Sequence, residues 1–284
     1  MADAKEAKSK QGGKKLDFIS IGGILLALGG ILGGLILEGG KLQDVKQVTA
    51  AMIVLGGTIG AVMVTTPMTV LSRAAKGLGS VFFENAQSPA AVIEEIIGYA
   101  TQARKQGIVS LEQQASAIAD PFLKKALNLA IDGIDLNQLR SIMELEITLL
   151  EQRGEEEAKV FEAAGGYSPT VGIIGAVLGL IQVMKNLANI DEVGHGIAVA
   201  FVATVYGVAA ANLFFLPAGA KIKARIKAQV QVRELALEGV LSVVEGLNPK
   251  LIRTKLEAYA PAAASPKKAK AEAAPAGKPV SAEG

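Results

Sequence analysis

The stretch Tyr167-Ser168-Pro169-Thr170-Val171-Gly172-Ile173-Ile174-Gly175-Ala176-Val177-Leu178-Gly179-Leu180-Ile181-Gln182-Val183-Met184 contains no Asp, Glu, Lys or Arg. A helix needs about 20 apolar residues to cross the hydrocarbon of a bilayer, so this run reads as a membrane span. Three further windows lack the same four residue types: Phe18 to Leu37, Val48 to Leu71 and Gly196 to Ala220. Short turns, Glu38 to Gln47 and Lys185 to His195, fold the four windows into two antiparallel hairpins. The composition agrees. With 50% hydrophobic and 20% charged residues in 284, the chain is more apolar than a soluble domain.

The same composition excludes much chemistry. There is no cysteine, which removes disulfides, thiolate metal sites and cysteine nucleophiles, and the only histidine is His195. A net charge of +2 gives no field for nucleic acid. Local asymmetry matters more. Lys5, Lys8, Lys10, Lys14 and Lys15 precede the first window, and Lys221, Lys223, Arg225 and Lys227 follow the fourth, whereas the short turns hold only Lys41, Lys46 and Lys185. Basic residues stay on the cytoplasmic side, so both termini and the long segment between the hairpins are expected there. A basic start before an apolar run also suits a cleavable signal peptide, but this run is long and no small-residue cleavage site follows it.

Between Ser72 and Gly166 the pattern is helical. Ser88-Pro89 reads as an N-cap with proline at the first helical position, and Gln106-Gly107 as that helix's end. Ser110-Leu111-Glu112-Gln113 reads as a capping box, Asp120-Pro121 as a restart, and Gly133 as a stop. From Asp135 a helix is expected to run toward the third span, with Gly154 and Gly165-Gly166 as weak points. The fourth span is expected to continue through Ile222, Ile226 and Val230, so two long helices form a stalk. The Ala/Pro/Lys-rich end has no residues able to build a core and reads as a disordered tail. The fold class is therefore an all-α membrane protein with four transmembrane helices, a helical cytoplasmic domain between spans two and three, and a cytoplasmic C-terminal helix. The segments are 1–17 (N-terminus), 18–71 (first hairpin), 72–166 (helical domain), 167–220 (second hairpin), 221–260 (C-terminal helices) and 261–284 (tail).

Small residues four apart let helices approach closely in lipid, and Gly29 with Gly33, Gly30 with Gly34, Gly56 with Gly60, and Gly175 with Gly179 fit that spacing. What the spans lack decides more. Intramembrane acids and bases mark ion sites, because each costs roughly 2.5 to 3.5 kcal/mol at a helix centre. These windows have none, only hydroxyls and prolines such as Thr58, Ser168, Thr204, Pro169 and Pro217. If ions pass, a partner must supply the acid.

The run Tyr167 to Leu180 resembles the third span of the MotA/TolQ/ExbB family. Ala198-Val199-Ala200-Phe201-Val202-Ala203-Thr204-Val205-Tyr206-Gly207 with Asn212-Leu213-Phe214-Phe215-Leu216-Pro217 resembles its fourth. Four spans with the large loop after the second are similar to the MotA/PomA branch, the flagellar stator A subunits, rather than to three-span ExbB and TolQ. Ala103-Arg104-Lys105-Gln106-Gly107, with Leu111-Glu112 downstream, resembles the stator's rotor-facing segment.

This resemblance implies a bacterial inner-membrane torque generator, not an enzyme, without a cofactor or metal. It implies a B-type (MotB-like) partner with an essential membrane aspartate, a homo-oligomeric ring, a pentamer around a dimer of B, and contact with the rotor protein FliG. By the same resemblance Pro169, Ala176, Thr204 and Pro217 line the ion path, and Arg104, Lys105 and Glu112 face the rotor. Ala176 stands where sodium-driven stators carry threonine, so protons are expected rather than sodium, which requires oxygen ligands. His195 reads as an interfacial helix-start residue, Tyr206 as packing and Glu38 as a solvated boundary charge. Two other readings are an ExbB/TolQ-like energiser of a periplasmic partner and a tetraspan permease. Arg104, Glu112 and the long loop count against the first, and the scarcity of mid-membrane polar groups against the second.

Overall fold

The computed structural model describes residues 15–84 and 88–259. Helix α1 (Phe18–Leu37) starts at Asp17, whose carboxylate accepts a hydrogen bond from the Ser20 N–H at 3.1 Å. None of its residues is buried within the chain, which suits an apolar helix whose surroundings are lipid or other subunits. Helix α2 (Val48–Thr65) is shorter than the expected window. Thr66 turns extended (φ −127°, ψ 128°) because Pro67 disfavours helical backbone in the residue before it, and α3 (Met68–Gly77) then restarts the chain. The window Val48 to Leu71 is thus one span and the first turn of a separate helix. Helix α4 (Gly79–Phe82) follows, and strand β1 (Lys15–Leu16) pairs antiparallel with β2 (Phe83–Glu84), a small exception to the all-helical expectation.

Helices α5 (Pro89–Gln106), α6 (Glu112–Ala117) and α7 (Pro121–Ile131) form the insert, followed by α8 (Leu136–Lys185). Helix α8 runs 50 residues through Gly154, Gly165, Gly166 and Pro169 without a break. Gly154 and Gly165 are close approaches, not weak points, and the helix passes Gly166 unbroken as well. A methyl at Gly154 would lie 2.3 Å from Cγ1 of Ile226, and one at Gly165 2.5 Å from Cδ2 of Leu216. Helix α9 (Ile190–Ala209) passes through a π-helical segment, Ala210–Phe215, into α10 (Leu216–Val244), and α11 (Pro249–Glu257) ends the described chain. Helix α9 is capped by Asn189, whose side chain accepts from the Asp191 N–H at 3.2 Å. His195 therefore lies within the helix and not at its start. The basic residues Lys5 to Lys14 and the expected tail 261–284 lie outside the described residues.

Two compact units divide the chain: residues 15–84 with 150–227, and residues 88–149 with 228–259. The first holds the spans. One apolar cluster joins Val62, Ala74 and Val81 to Ala158, Phe161, Ala164, Ala218 and Ile222; another joins Ala50 and Val54 to Val202 and Ala203. In the second unit Ile96, Leu111, Phe122, Leu123, Leu127, Leu139, Met143, Leu235, Leu241, Ile252 and Leu256 are fully buried, each contributing about 1.5 to 3 kcal/mol by leaving water. The Arg233 guanidinium covers the Phe122 ring at 5.0 Å, and Arg253 grips Glu94 with two hydrogen bonds of 2.5 and 2.7 Å.

Candidate functional site

The apolar helices α8 and α9 meet along a glycine seam. A methyl at Gly172 would lie 2.9 Å from the Ala203 carbonyl oxygen, at Gly175 2.7 Å from the Ala203 Cβ, and at Gly179 2.7 Å from the Gly196 oxygen. From the facing side, a methyl at Gly207 would lie 2.6 Å from the Ser168 oxygen. Only hydrogen fits at these positions, so the two backbones touch over three turns. Of the glycine pairs expected to pack, Gly175 and Gly179 are in this seam. At Gly29, Gly33, Gly56 and Gly60 such a methyl would meet no atom of the described residues within 4 Å beyond its own turn of helix.

Pro169 and Ala176, seven residues apart, share one stripe of α8, both half-buried. Thr204 stands on α9 beside them, its Cα 3.5 Å from where a Gly172 methyl would be. Its hydroxyl donates to the Ala200 carbonyl at 3.2 Å. That bond occupies the proton and leaves the oxygen lone pairs able to accept. The site thus brings together Pro169, Ala176 and Thr204. Pro217 is exposed and lies beyond the π-segment, more than three turns further along. Proline supplies no N–H, so Pro169 and Pro217 each leave a carbonyl one turn earlier without its usual donor. Tyr206 packs against the Ala50–Val54 cluster as expected, and its hydroxyl also donates to the Val45 carbonyl at 2.5 Å, tying α9 to the entry of α2.

The charged candidates are in the other unit. Arg104 and Lys105 are exposed in the last turn of α5, which Gly107 ends at φ +81°. Ser110 does not cap the next helix: it sits in a 3₁₀ turn, Ile108–Leu111, and its hydroxyl donates to the Gly107 carbonyl at 2.7 Å. Glu112, exposed, opens α6 directly after that turn. The three charges thus flank one tight corner. Beside it, Arg104 lines a groove of about 410 Å³ with Ala103, Ile108, Gly133 and Leu247.

Sequence reasoning missed Asp17. Its Oδ2 accepts from Lys221 Nζ at 2.6 Å and from Arg225 Nη2 at 2.8 Å, while Arg225 Nη1 also donates to the Phe83 carbonyl. The Lys221 hydrogen bond first, then the Ser20 N–H and Arg225, hold this carboxyl far below the usual carboxylate range. One acid therefore clasps the start of α1, the β2 strand and α10. The signal was available: an aspartate immediately ahead of an apolar helical run is an N-cap pattern, its carboxylate accepting from the backbone N–H three residues on. Glu157 shifts the other way. Burial raises its pKa, opposed by Arg73 at 3.6 Å. No cluster of three or more metal-ligating side chains occurs among the described residues.

Comparisons with known proteins agree on a single family. The profile described as "MotA/TolQ/ExbB proton channel family" matches residues 114–235, and "Motility protein A N-terminal" matches 21–106. Motility protein A of Bacillus subtilis (strain 168) is 36% identical over 251 residues, covering 87% of this chain and 92% of that protein. The C. jejuni MotAB structure aligns with TM-score 0.84 at 32% identity, covering 89% of this chain and 98% of that one. The flagellar MotAB stator complex from Bacillus subtilis aligns with TM-score 0.81 at 35% identity, covering 90% and 100%.

Proposed function

The chain belongs to the MotA/TolQ/ExbB proton channel family as a flagellar stator subunit of the motility protein A type, and we propose that it surrounds a B-type partner whose membrane aspartate carries the proton. This is a stator family and not an enzyme family. The observation that carries the proposal is the absence of any Asp, Glu, Lys or Arg between Tyr167 and Met184 and between Gly196 and Ala220. The chain forms an apolar sleeve, and the titrating group is foreign to it.

In low dielectric an isolated aspartate favours its neutral form, so the partner's acid alternates between protonated and ionised states as the ring around it changes register. Thr204 offers that acid a hydroxyl oxygen. Pro169 and Pro217 supply backbone that can bend beside it. Ala176 withholds the oxygen a dehydrated sodium ion would need, so the transported ion is the proton. The ring is a homo-oligomer, a pentamer around a dimer of the partner. Its outer faces include the glycine rows at Gly29, Gly33, Gly56 and Gly60, where an added methyl would meet no atom of the described residues within 4 Å beyond its own turn of helix.

The subunit sits in the bacterial inner membrane with both termini cytoplasmic, as the lysine and arginine distribution indicates. Residues 72–166 and 221–260 form its cytoplasmic part, and Arg104, Lys105 and Glu112 engage FliG. The magnitudes suit a stepping contact. An exposed ion pair is worth roughly 0.2 to 1 kcal/mol, whereas one charge crossing about 100 mV releases about 2.3 kcal/mol. Swimming in sodium-free buffer tests the ion: motility is expected to persist without sodium and to stop with a protonophore. Motility that tracks sodium and survives the protonophore would overturn the assignment.

A further inference from the structure

Two hydroxyls inside the span bundle have no hydrogen-bond partner among the described residues: Thr58 Oγ1 on α2 and Ser168 Oγ on α8, both residues 0% exposed. Helical serine and threonine usually return their hydroxyl to a carbonyl three or four residues back. Thr65, Thr170 and Thr204 do so here. A buried hydroxyl with no partner is costly, so two in one bundle call for a ligand.

They converge on one level of the bundle. Gly57 lies against Val171, a methyl there standing 2.7 Å from its Cγ1, and Ser168 lies one helical turn before Val171. The Ser168 carbonyl in turn meets Gly207, just ahead of the π-segment. On α2, Val54 packs in the cluster of Val202, Ala203 and Tyr206, and Val62 in that of Phe215 and Ala218. Thr58 is midway between them on the same stripe, one turn beyond Val54, and so falls level with the end of α9, where it passes into Ala210–Phe215. That segment is where the backbone ladder is itself irregular. A π-turn shifts the hydrogen-bond register, and Pro217 just beyond it has no N–H to return.

We propose that this junction of α2, α8 and the π-segment is a water-binding site, the water held between the Thr58 and Ser168 hydroxyls and a backbone carbonyl of the π-segment. A buried water needs two to four polar partners, and each hydroxyl can both donate and accept. The site involves neither Thr204 nor Ala176, and stands whichever ion the assembly conducts.

The test uses the purified full-length protein in detergent, with Thr58→Val, Ser168→Ala and the double variant. A shared water makes each single change lower the thermal midpoint by about 2 to 4 °C, with the double variant losing clearly less than the sum. Amides of Ala210–Phe215 should exchange hydrogen faster than those of Gly172–Gly179, and Thr58→Val should slow them. A raised midpoint in Thr58→Val means the hydroxyl was dry and overturns the proposal. Additive losses with unchanged exchange overturn it equally, because each hydroxyl then bonds separately.

Discussion

Asp17 is the residue whose removal has the clearest electrostatic signature. Its pKa is depressed in the folded protein by Lys221, the Ser20 N–H and Arg225, so it stabilises the fold above the unfolded carboxylate pKa. That stability is lost as pH falls toward the folded value. Asp17→Asn should therefore lower the thermal midpoint at pH 7, with the gap to the unaltered protein full above about pH 5 and shrinking in more acidic buffer. A gap that does not change with pH would show that the carboxylate charge is not what holds the clasp. The cap that Asp17 makes was readable in the sequence, but its ion pairs were not, because Lys221 and Arg225 lie some two hundred positions away. Thr204, Pro169 and Ala176 were legible for a different reason. The family resemblance pointed to them, the structure sets them side by side on α8 and α9, and their part in an ion path stays a proposal.

Helices α1, α2, α8 and α9 were legible because exclusion of charge over about 20 residues is a strong constraint. Their ends were less so. Pro67 cut the second window short, and Asn189 started the fourth helix earlier than the charge-free rule allowed. The π-segment at Ala210–Phe215 left no mark in the sequence, since a one-residue change of hydrogen-bond register needs no special side chain. Glycine spacing alone did not distinguish helix contacts made within the chain from faces left open, because both use the same four-residue period. The structure separates them, which gives a paired prediction. Gly179→Val should destabilise the isolated subunit by about 1 to 3 kcal/mol, because the Gly196 carbonyl it meets is backbone and cannot step aside. Gly56→Val should leave the subunit's own stability unchanged and act, if at all, on ring assembly in native gels or size-exclusion profiles. Equal loss from both would mean that the seam between α8 and α9 is not the tight contact of the bundle.

For the whole molecule, the proposed division of labour is between an apolar sleeve and a charged corner. Arg104→Glu or Glu112→Lys should reduce swimming while membrane insertion and partner co-purification stay intact, and unchanged swimming after both reversals would remove the rotor-contact role from this corner. The corner's helices were readable from Gly107 and Asp120-Pro121, whereas its 3₁₀ turn was not, because Ser110 satisfies a capping pattern by sequence and spends its hydroxyl on Gly107 instead. The central claim is that spans without an ionisable group cannot move protons unaided. It is tested most directly by reconstituting this subunit alone in liposomes under an imposed potential and following internal pH. The flux should equal that of protein-free vesicles, from a preparation that still captures its B-type partner; flux above that background from the subunit alone would contradict the account.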